Sequence, residues 1–217
     1  MKKQQAGFTL IELAIVLVII GLLLGGVLKG QAFIDSAKVK NMATDFKNIQ
    51  VYIYGYQDKF RALPGDDSKV VAHVVGTLAT IGTAGNGVIE GQWNSTTAAA
   101  ATGDESALFW QHVRLANLAA GPTVVTDANY YPTNADGGRI GVQSVSGFTK
   151  ITGMTGAFAI CSDAILGKFA KQLDTALDDG ETSTGSLRAV LSTTVTGAGV
   201  TTALVVDSSS YTACLTY

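Results

Sequence analysis

The hydrophobic positions divide the chain into three unlike stretches. From Phe8 to Leu28 it runs FTLIELAIVLVIIGLLLGGVL, apolar at nearly every position, with Glu12 its one charged side chain. A helix needs about 20 such residues to span a bilayer. From Val39 the pattern changes. Val39, Met42, Phe46, Ile49, Ile53, Tyr56 and Phe60 recur three and four apart, which is one face of a long helix. Lys40, Lys47 and Asp58 fall on the opposite side. Leu63-Pro64-Gly65-Asp66 then carries the proline and glycine of a type II turn, so the helix is expected to end near Arg61. A coiled-coil seam would show the same spacing. The long body that follows at once favours a head packed on this stalk.

Beyond the turn the pattern is mixed. Asn86-Gly87, within 82–91, signals a type I′ hairpin. Serine, threonine and alanine fill 95–103, a loop composition. Asp104-Glu105-Ser106 opens a helical run with Leu108, His112, Leu115 and Ala119 on one face and Gly121 at its end. A further helix is expected from about Ser162 as N-cap. Ile165, Phe169, Leu173 and Ala176 would line its face, and Asp178-Asp179-Gly180 would close it. Strand-like runs lie at 186–195, 202–206 and 211–217, with shorter ones at 139–145 and 156–160. The expected fold class is α+β. A long N-terminal helix, half transmembrane and half amphipathic, packs against a head with an antiparallel sheet and additional short helices.

Composition narrows the classes. With 217 residues, 47% hydrophobic, the chain has room for one soluble domain of about 150 residues beside the apolar segment. The formal net charge of −2 hides an asymmetry. Residues 29–61 are basic, carrying Lys29, Lys38, Lys40, Lys47, Lys59 and Arg61 against Asp35, Asp45 and Asp58. Residues 62–217 are acidic and show no lysine/arginine patch, so no nucleic-acid partner is expected.

The N-terminus carries the most specific signal. Lys2 and Lys3 precede the apolar run and place the N-terminus in the cytoplasm by the positive-inside rule. A secretory signal puts its cleavage site after the apolar stretch. Here a polar leader and a glycine come before it. A cut after Gly7 would remove MKKQQAG, keep the helix on the mature chain and free an α-amino group on Phe8. Glu12 would then be the fifth mature residue. A carboxylate at the bilayer centre costs about 2.5–3.5 kcal/mol on insertion scales, and less near the edge. The amine of Phe8, in the same subunit or in a staggered neighbour, is the cation that offsets it and sets register.

GFTLIELAIVLVIIGLLL, residues 7–24, resembles the class III signal of type IV pilins and of the related pseudopilins of type II secretion. The shared features are a short basic leader, Gly7, Phe8, Thr9-Leu10, Glu12 and an apolar helix. The resemblance implies cleavage between Gly7 and Phe8 by a prepilin peptidase and N-methylation of Phe8. It implies self-assembly with other pilins into a helical filament, on an assembly platform in the bacterial inner membrane. Many type IV pilins have a proline about eight residues past the mid-run glycine. Here Lys29 stands eight after Gly21. Gly21, Gly25 and Gly26 remain as points where the helix can stretch, or where helices pack closely. LPGDD (63–67), the Gly85-Asn86-Gly87 turn, DESALFWQHVRLANL (104–118) and LDTALDDGETSTGSLRA (173–189) are similar to a group of prepilin-like proteins from proteobacteria.

The implied organisation is a leader at 1–7, a long helix at 8–61 whose residues 8–28 form the membrane span and filament core, and a head at 62–217. The implied function is a structural subunit of a bacterial type IV pilus, major or minor. The alternative is a pseudopilin of a type II secretion system. The chain would be a single-pass inner-membrane prepilin, then a pilus component at the cell surface or in the periplasm.

The remaining chemistry is sparse. Cys161 and Cys214 form one disulfide if the chain is exported, and are two buried thiols otherwise. A disulfide-closed C-terminal region is usual in surface pilins, which leans the reading towards a pilus. His73 and His112 sit in no HExxH or nucleophile-elbow pattern, and His112 reads as a core residue, so no enzyme is expected. Asp178, Asp179 and Glu181 are the best metal candidates, with calcium the ion for such oxygen-rich loops. They lack the DxDxDG spacing, and a solvated turn after a helix is the plainer reading. Asp66 and Asp67 read the same way.

Overall fold

The structure is a computed structural model that describes residues 10–96 and 103–217. Helix α1 runs Leu10–Phe60. The chain divides into two compact units within it, one ending at Lys38 and one beginning at Val39.

Within the first unit, the helix surface from Leu10 to Leu28 is exposed all round and, apart from Glu12, apolar. Leu10, Leu17, Leu22 and Leu28 all stand in the open. A helix apolar on every side is not the surface helix of a soluble protein, and none of its apolar window is buried among the described residues.

In the second unit the stalk face behaves as its spacing predicts. Val39, Met42, Phe46, Ile49, Ile53 and Tyr56 are buried, and Phe60 is partly buried. Burial of each large apolar side chain contributes about 1.5–3 kcal/mol. The helix stops where expected: Arg61 turns to φ 56° while its N–H still bonds the carbonyl of Gln57 at 2.8 Å. Gly65 follows at φ 95°, and a Cβ there would run into the carbonyl oxygen of Glu105.

The head contains α2 (Val70–Val74), α3 (Glu105–Leu115), β1 (Ile140–Ser144), β2 (Phe158–Leu166), α4 (Gly167–Leu177), β3 (Leu187–Leu191) and β4 (Ser210–Thr216). The four strands form one antiparallel sheet in the order β1-β2-β4-β3. The fold is α+β. Helix α4 packs on β2, β3 and β4, while α3 packs on β1 and α2. Side chains from the stalk (Phe46, Ile53), α3 (Phe109) and the sheet (Val142, Ile160, Leu215) share one core. The alternation of β2 serves two clusters. Ile160 joins that core, and Cys161 joins a smaller cluster with Trp93, Ile151 and Val190.

Several expectations need correction. The stretch 82–91 is no type I′ hairpin. That turn needs two consecutive positive φ angles, and here Gly85 (87°) and Gly87 (84°) have them while Asn86 does not. Its amides turn instead to a buried carboxylate. Helix α3 opens as expected, with Asp104 Oδ1 accepting the Ala107 N–H at 3.1 Å. It ends at Leu115 rather than Gly121, because Asn117 swings to φ 60°. It is also buried on all sides from Glu105 to Arg114, not along one face. Ser162 is no N-cap. Strand β2 continues through it to Leu166, with a register shift between Ser162 and Ile165 and Ala164 at φ 54°. In α4, Phe169 and Leu173 are buried but Ala176 is exposed. Within 202–206 there is one turn of 3-10 helix, Thr202–Leu204. The expected loop at 95–103 lies largely outside the described residues.

Candidate functional site

The N-terminal segment is the first candidate. Gly7 and Phe8 lie outside the described residues. Glu12 stands in the first turn of α1 and is exposed. An acid there suits the positive end of the helix dipole. The helix contains an 18-residue window of mean hydropathy 2.8 with none of it buried, so it is long and apolar enough to cross a membrane. A Cβ at Gly21, Gly25 or Gly26 would meet no atom within 4 Å. Among the described residues these glycines answer no packing need.

The second candidate is the cysteine pair. Cys161 and Cys214 are register partners across β2 and β4, both are fully buried, and a disulfide joins them. It ties the C-terminal strand to the centre of the sheet.

The acidic loop after α4 does not converge on a cation. Asp178 Oδ2 accepts the Leu187 N–H at 2.8 Å. Asp179 accepts the Glu181 N–H at 2.8 Å and the Thr184 hydroxyl at 2.9 Å. Glu181 Oε1 accepts the Thr202 N–H at 2.7 Å and the Ser183 hydroxyl at 2.9 Å. These bonds, the Glu181 amide first for Asp179 and the Thr202 amide first for Glu181, hold both carboxyls below their ordinary range. Among the described residues no group of three His, Cys, Asp or Glu side chains is arranged to hold a metal ion. Asp178, Asp179 and Glu181 are turn-capping groups.

The pair at the end of the stalk, read from sequence as a simple turn, is buried and busy. Asp66 gathers the N–H groups of Gly85, Asn86 (3.1 Å) and Gly87 (2.7 Å). Burial still raises its pKa, against the pull of those amides, and Glu90 adds to the rise. Asp67 accepts the Tyr56 hydroxyl at 2.7 Å, the Lys69 N–H at 2.8 Å and His73 Nδ1 at 2.7 Å. Burial pushes its carboxyl up, but the bonds from His73, Tyr56 and Lys69 outweigh it and bring the pKa below the ordinary value. An ionised carboxylate only accepts, so His73 Nδ1 carries the hydrogen. The imidazole lies stacked on Phe60, 5.0 Å between centroids.

His112 closes the same corner from α3. Its Nδ1 accepts the Gly65 N–H at 2.9 Å, so Nε2 carries the hydrogen and donates to the Thr77 carbonyl at 2.9 Å. Burial lowers its pKa to about 4. Both histidines therefore join backbone to backbone or loop to stalk. A surface cleft of about 410 Å³ opens beside Asp67 and His73, but the carboxylate oxygens facing it are already spent on protein donors. The signal for this knot was two acids directly after a Pro-Gly turn with a histidine six residues on.

Residues 2–28 match the family model described as the prokaryotic N-terminal methylation motif. No curated protein matches the chain, and no solved structure matches it. The N-terminal segment is thus a class III signal, of the kind typical of type IV pilins and pseudopilins. Such a signal implies prepilin peptidase processing and pilus-type assembly, and the apolar helix behind it is consistent with membrane anchoring.

Proposed function

We propose that the chain is a structural, non-catalytic subunit of a bacterial type IV pilus, cleaved after Gly7, methylated on the new N-terminus at Phe8, and assembled through its N-terminal helix. The observation that carries this reading is the methylation motif over residues 2–28, set directly on an apolar helix whose membrane-length window is unburied among the described residues. In the membrane that helix anchors the prepilin. In the filament, helices of neighbouring copies take the place of lipid, and Glu12 pairs with the N-terminal amine of a neighbour. The buried disulfide between Cys161 and Cys214 favours a pilus over the pseudopilin alternative, since a disulfide-closed C-terminal region is usual in surface pilins.

Immunogold electron microscopy tests the assignment. Label along surface fibres is expected for a major pilin, and label at tips or sparse points for a minor one. Absence from every fibre together with a secretion defect on deletion would make the chain a pseudopilin. Glu12→Ala is expected to leave a processed, membrane-inserted subunit that enters filaments poorly. Normal filament yield from that variant would remove the role given to Glu12.

A further inference from the structure

Asn86-Gly87 joins an exposed side-chain amide to a following glycine. Asparagine is the labile partner of such a pair, and glycine has no Cβ to shield its nitrogen. Once the Gly87 nitrogen has lost its proton to water or hydroxide, it attacks Cγ of Asn86. A new N–C bond forms, the bond from Cγ to the side-chain nitrogen breaks, and ammonia leaves after taking up a proton. Water then opens the cyclic imide at either carbonyl, giving aspartate or isoaspartate. One water enters and one ammonia departs, with no oxidant or cofactor. In an unfolded chain nothing holds the Gly87 nitrogen back from this sequence.

In the folded head that nitrogen is engaged. The Gly87 N–H donates to Asp66 Oδ2 at 2.7 Å, and the amides of Gly85 and Asn86 donate to Asp66 Oδ1. Asp66 is 2% exposed, so water does not compete for these bonds. Loss of the Gly87 proton would place an anion 2.7 Å from a carboxylate, which opposes the first step. A carboxylate is also far too weak a base to take that proton itself. The Asn86 side chain is tied as well, its Oδ1 accepting the Val88 N–H at 2.8 Å. The attack needs the side chain and the Gly87 amide to turn towards each other, and that breaks both holds.

We propose that Asn86 is a latent modification site: Asp66 keeps it an asparagine while the loop is closed, and opening of the loop commits it to aspartate or isoaspartate. Either product loosens the grip. Aspartate puts a second negative charge on the loop whose amides Asp66 holds. Isoaspartate inserts one more backbone carbon between the Asn86 and Gly87 amides, which spoils their joint fit to one carboxylate. Ammonia is lost to solvent, so the change runs one way and the loop records that this corner of the head has opened. The proposal goes beyond filament membership and does not rest on it.

The test follows wild type and Asp66→Asn, both full-length in detergent micelles, in warm, mildly alkaline buffer with and without urea. Peptide mass spectrometry reads the loss of asparagine at position 86 and, as an internal reference, at Asn94. Asn94 is also exposed and precedes a small residue, but the Ser95 N–H donates to the neutral Gln92 carbonyl at 2.8 Å. In wild type, Asn86 is expected to convert at least about tenfold faster in urea than in the folded protein. In folded Asp66→Asn, conversion at Asn86 should rise about tenfold or more over folded wild type, with Asn94 unchanged. Equal rates at Asn86 with and without urea overturn the proposal. So does an Asn86 rate that Asp66→Asn leaves unchanged, or one that rises only in step with Asn94. Should Asp66→Asn fail to fold, wild type in urea below its unfolding transition decides. There Asn86 conversion must rise in step with hydrogen exchange of the Gly87 amide, and conversion that leaves this amide protected overturns the assignment.

Discussion

Tyr56, near the end of the stalk helix, donates its hydroxyl to Asp67 at 2.7 Å, and both residues are buried. Burial, with Asp67 as hydrogen-bond partner and neighbouring charge, holds the Tyr56 hydroxyl well above its usual pKa. The bond joins the stalk to the first loop of the head through an ionised acid, which is the strong form of a hydrogen bond. Tyr56→Phe is expected to lower stability by about 1–3 kcal/mol, because it leaves a buried acceptor short of a donor. Urea melts of the two proteins check this.

Asp67 also makes the knot sensitive to acid. Its folded pKa lies below the ordinary 3.8, so its contribution is complete above that value. It is lost as pH falls through the lower folded value. Asp67→Asn should therefore destabilise the protein most near neutrality, and the gap should narrow on acidification below about 3.8. Paired melts across that range read the difference directly.

Glu105 has the opposite sign. It is fully buried in the first turn of α3. Its Oε2 accepts the Glu90 N–H at 2.8 Å, and Oε1 has no hydrogen-bond partner among the described residues. Burial first, then the nearby charges of Asp66, Glu90 and Asp104, raise its pKa from 4.5 to about 7. The folded state thus holds a proton that the unfolded chain releases near 4.5. Stability should fall as pH rises from there through about 7 and level off above it. Glu105→Gln removes that slope and should gain on the order of 3 kcal/mol over wild type in mildly alkaline buffer. Equal pH dependence in the two proteins would contradict the assignment.

Reduction of the disulfide should be felt in the whole head. Cys161 and Cys214 are 53 residues apart, and a loop of that length corresponds to about 4 kcal/mol in the chain-entropy model. Reductant, or the double change Cys161→Ala and Cys214→Ala, should lower Tm and speed proteolysis. Non-reduced wild type should show no reactive thiol on denaturation.

Two glycines separate backbone strain from collision. Gly87 has φ 84° and open space around an added Cβ, so Gly87→Ala should cost only the left-handed conformation, about 1–2 kcal/mol. Gly65 has φ 95° and faces the Glu105 carbonyl, so Gly65→Ala should cost more than Gly87→Ala. Thermal melts rank the pair.

Local pattern alone was enough for the apolar helix, the stalk stripe from Val39 to Tyr56 and the stop at Arg61. These depend on hydropathy, on a 3.6-residue period and on Pro-Gly turn chemistry, all of which act between near neighbours in sequence. The motif at residues 2–28 is of the same kind. What depends on distant partners was out of reach. Asn86-Gly87 reads as a hairpin until Asp66, about 20 residues away in sequence, claims its amides. Ser162 reads as a helix cap until β4 pairs with β2 and carries the strand on to Leu166. Asp178, Asp179 and Glu181 read as a solvated turn, with calcium the lesser reading, and no local pattern names the donors that Leu187, Thr184 and Thr202 turn towards them. Cys161 and Cys214 could have stayed thiols, and only their register across two strands joined them. Periodicity is written in the chain, but a hydrogen-bond partner 20 or 50 residues away is chosen by the packing of the whole head.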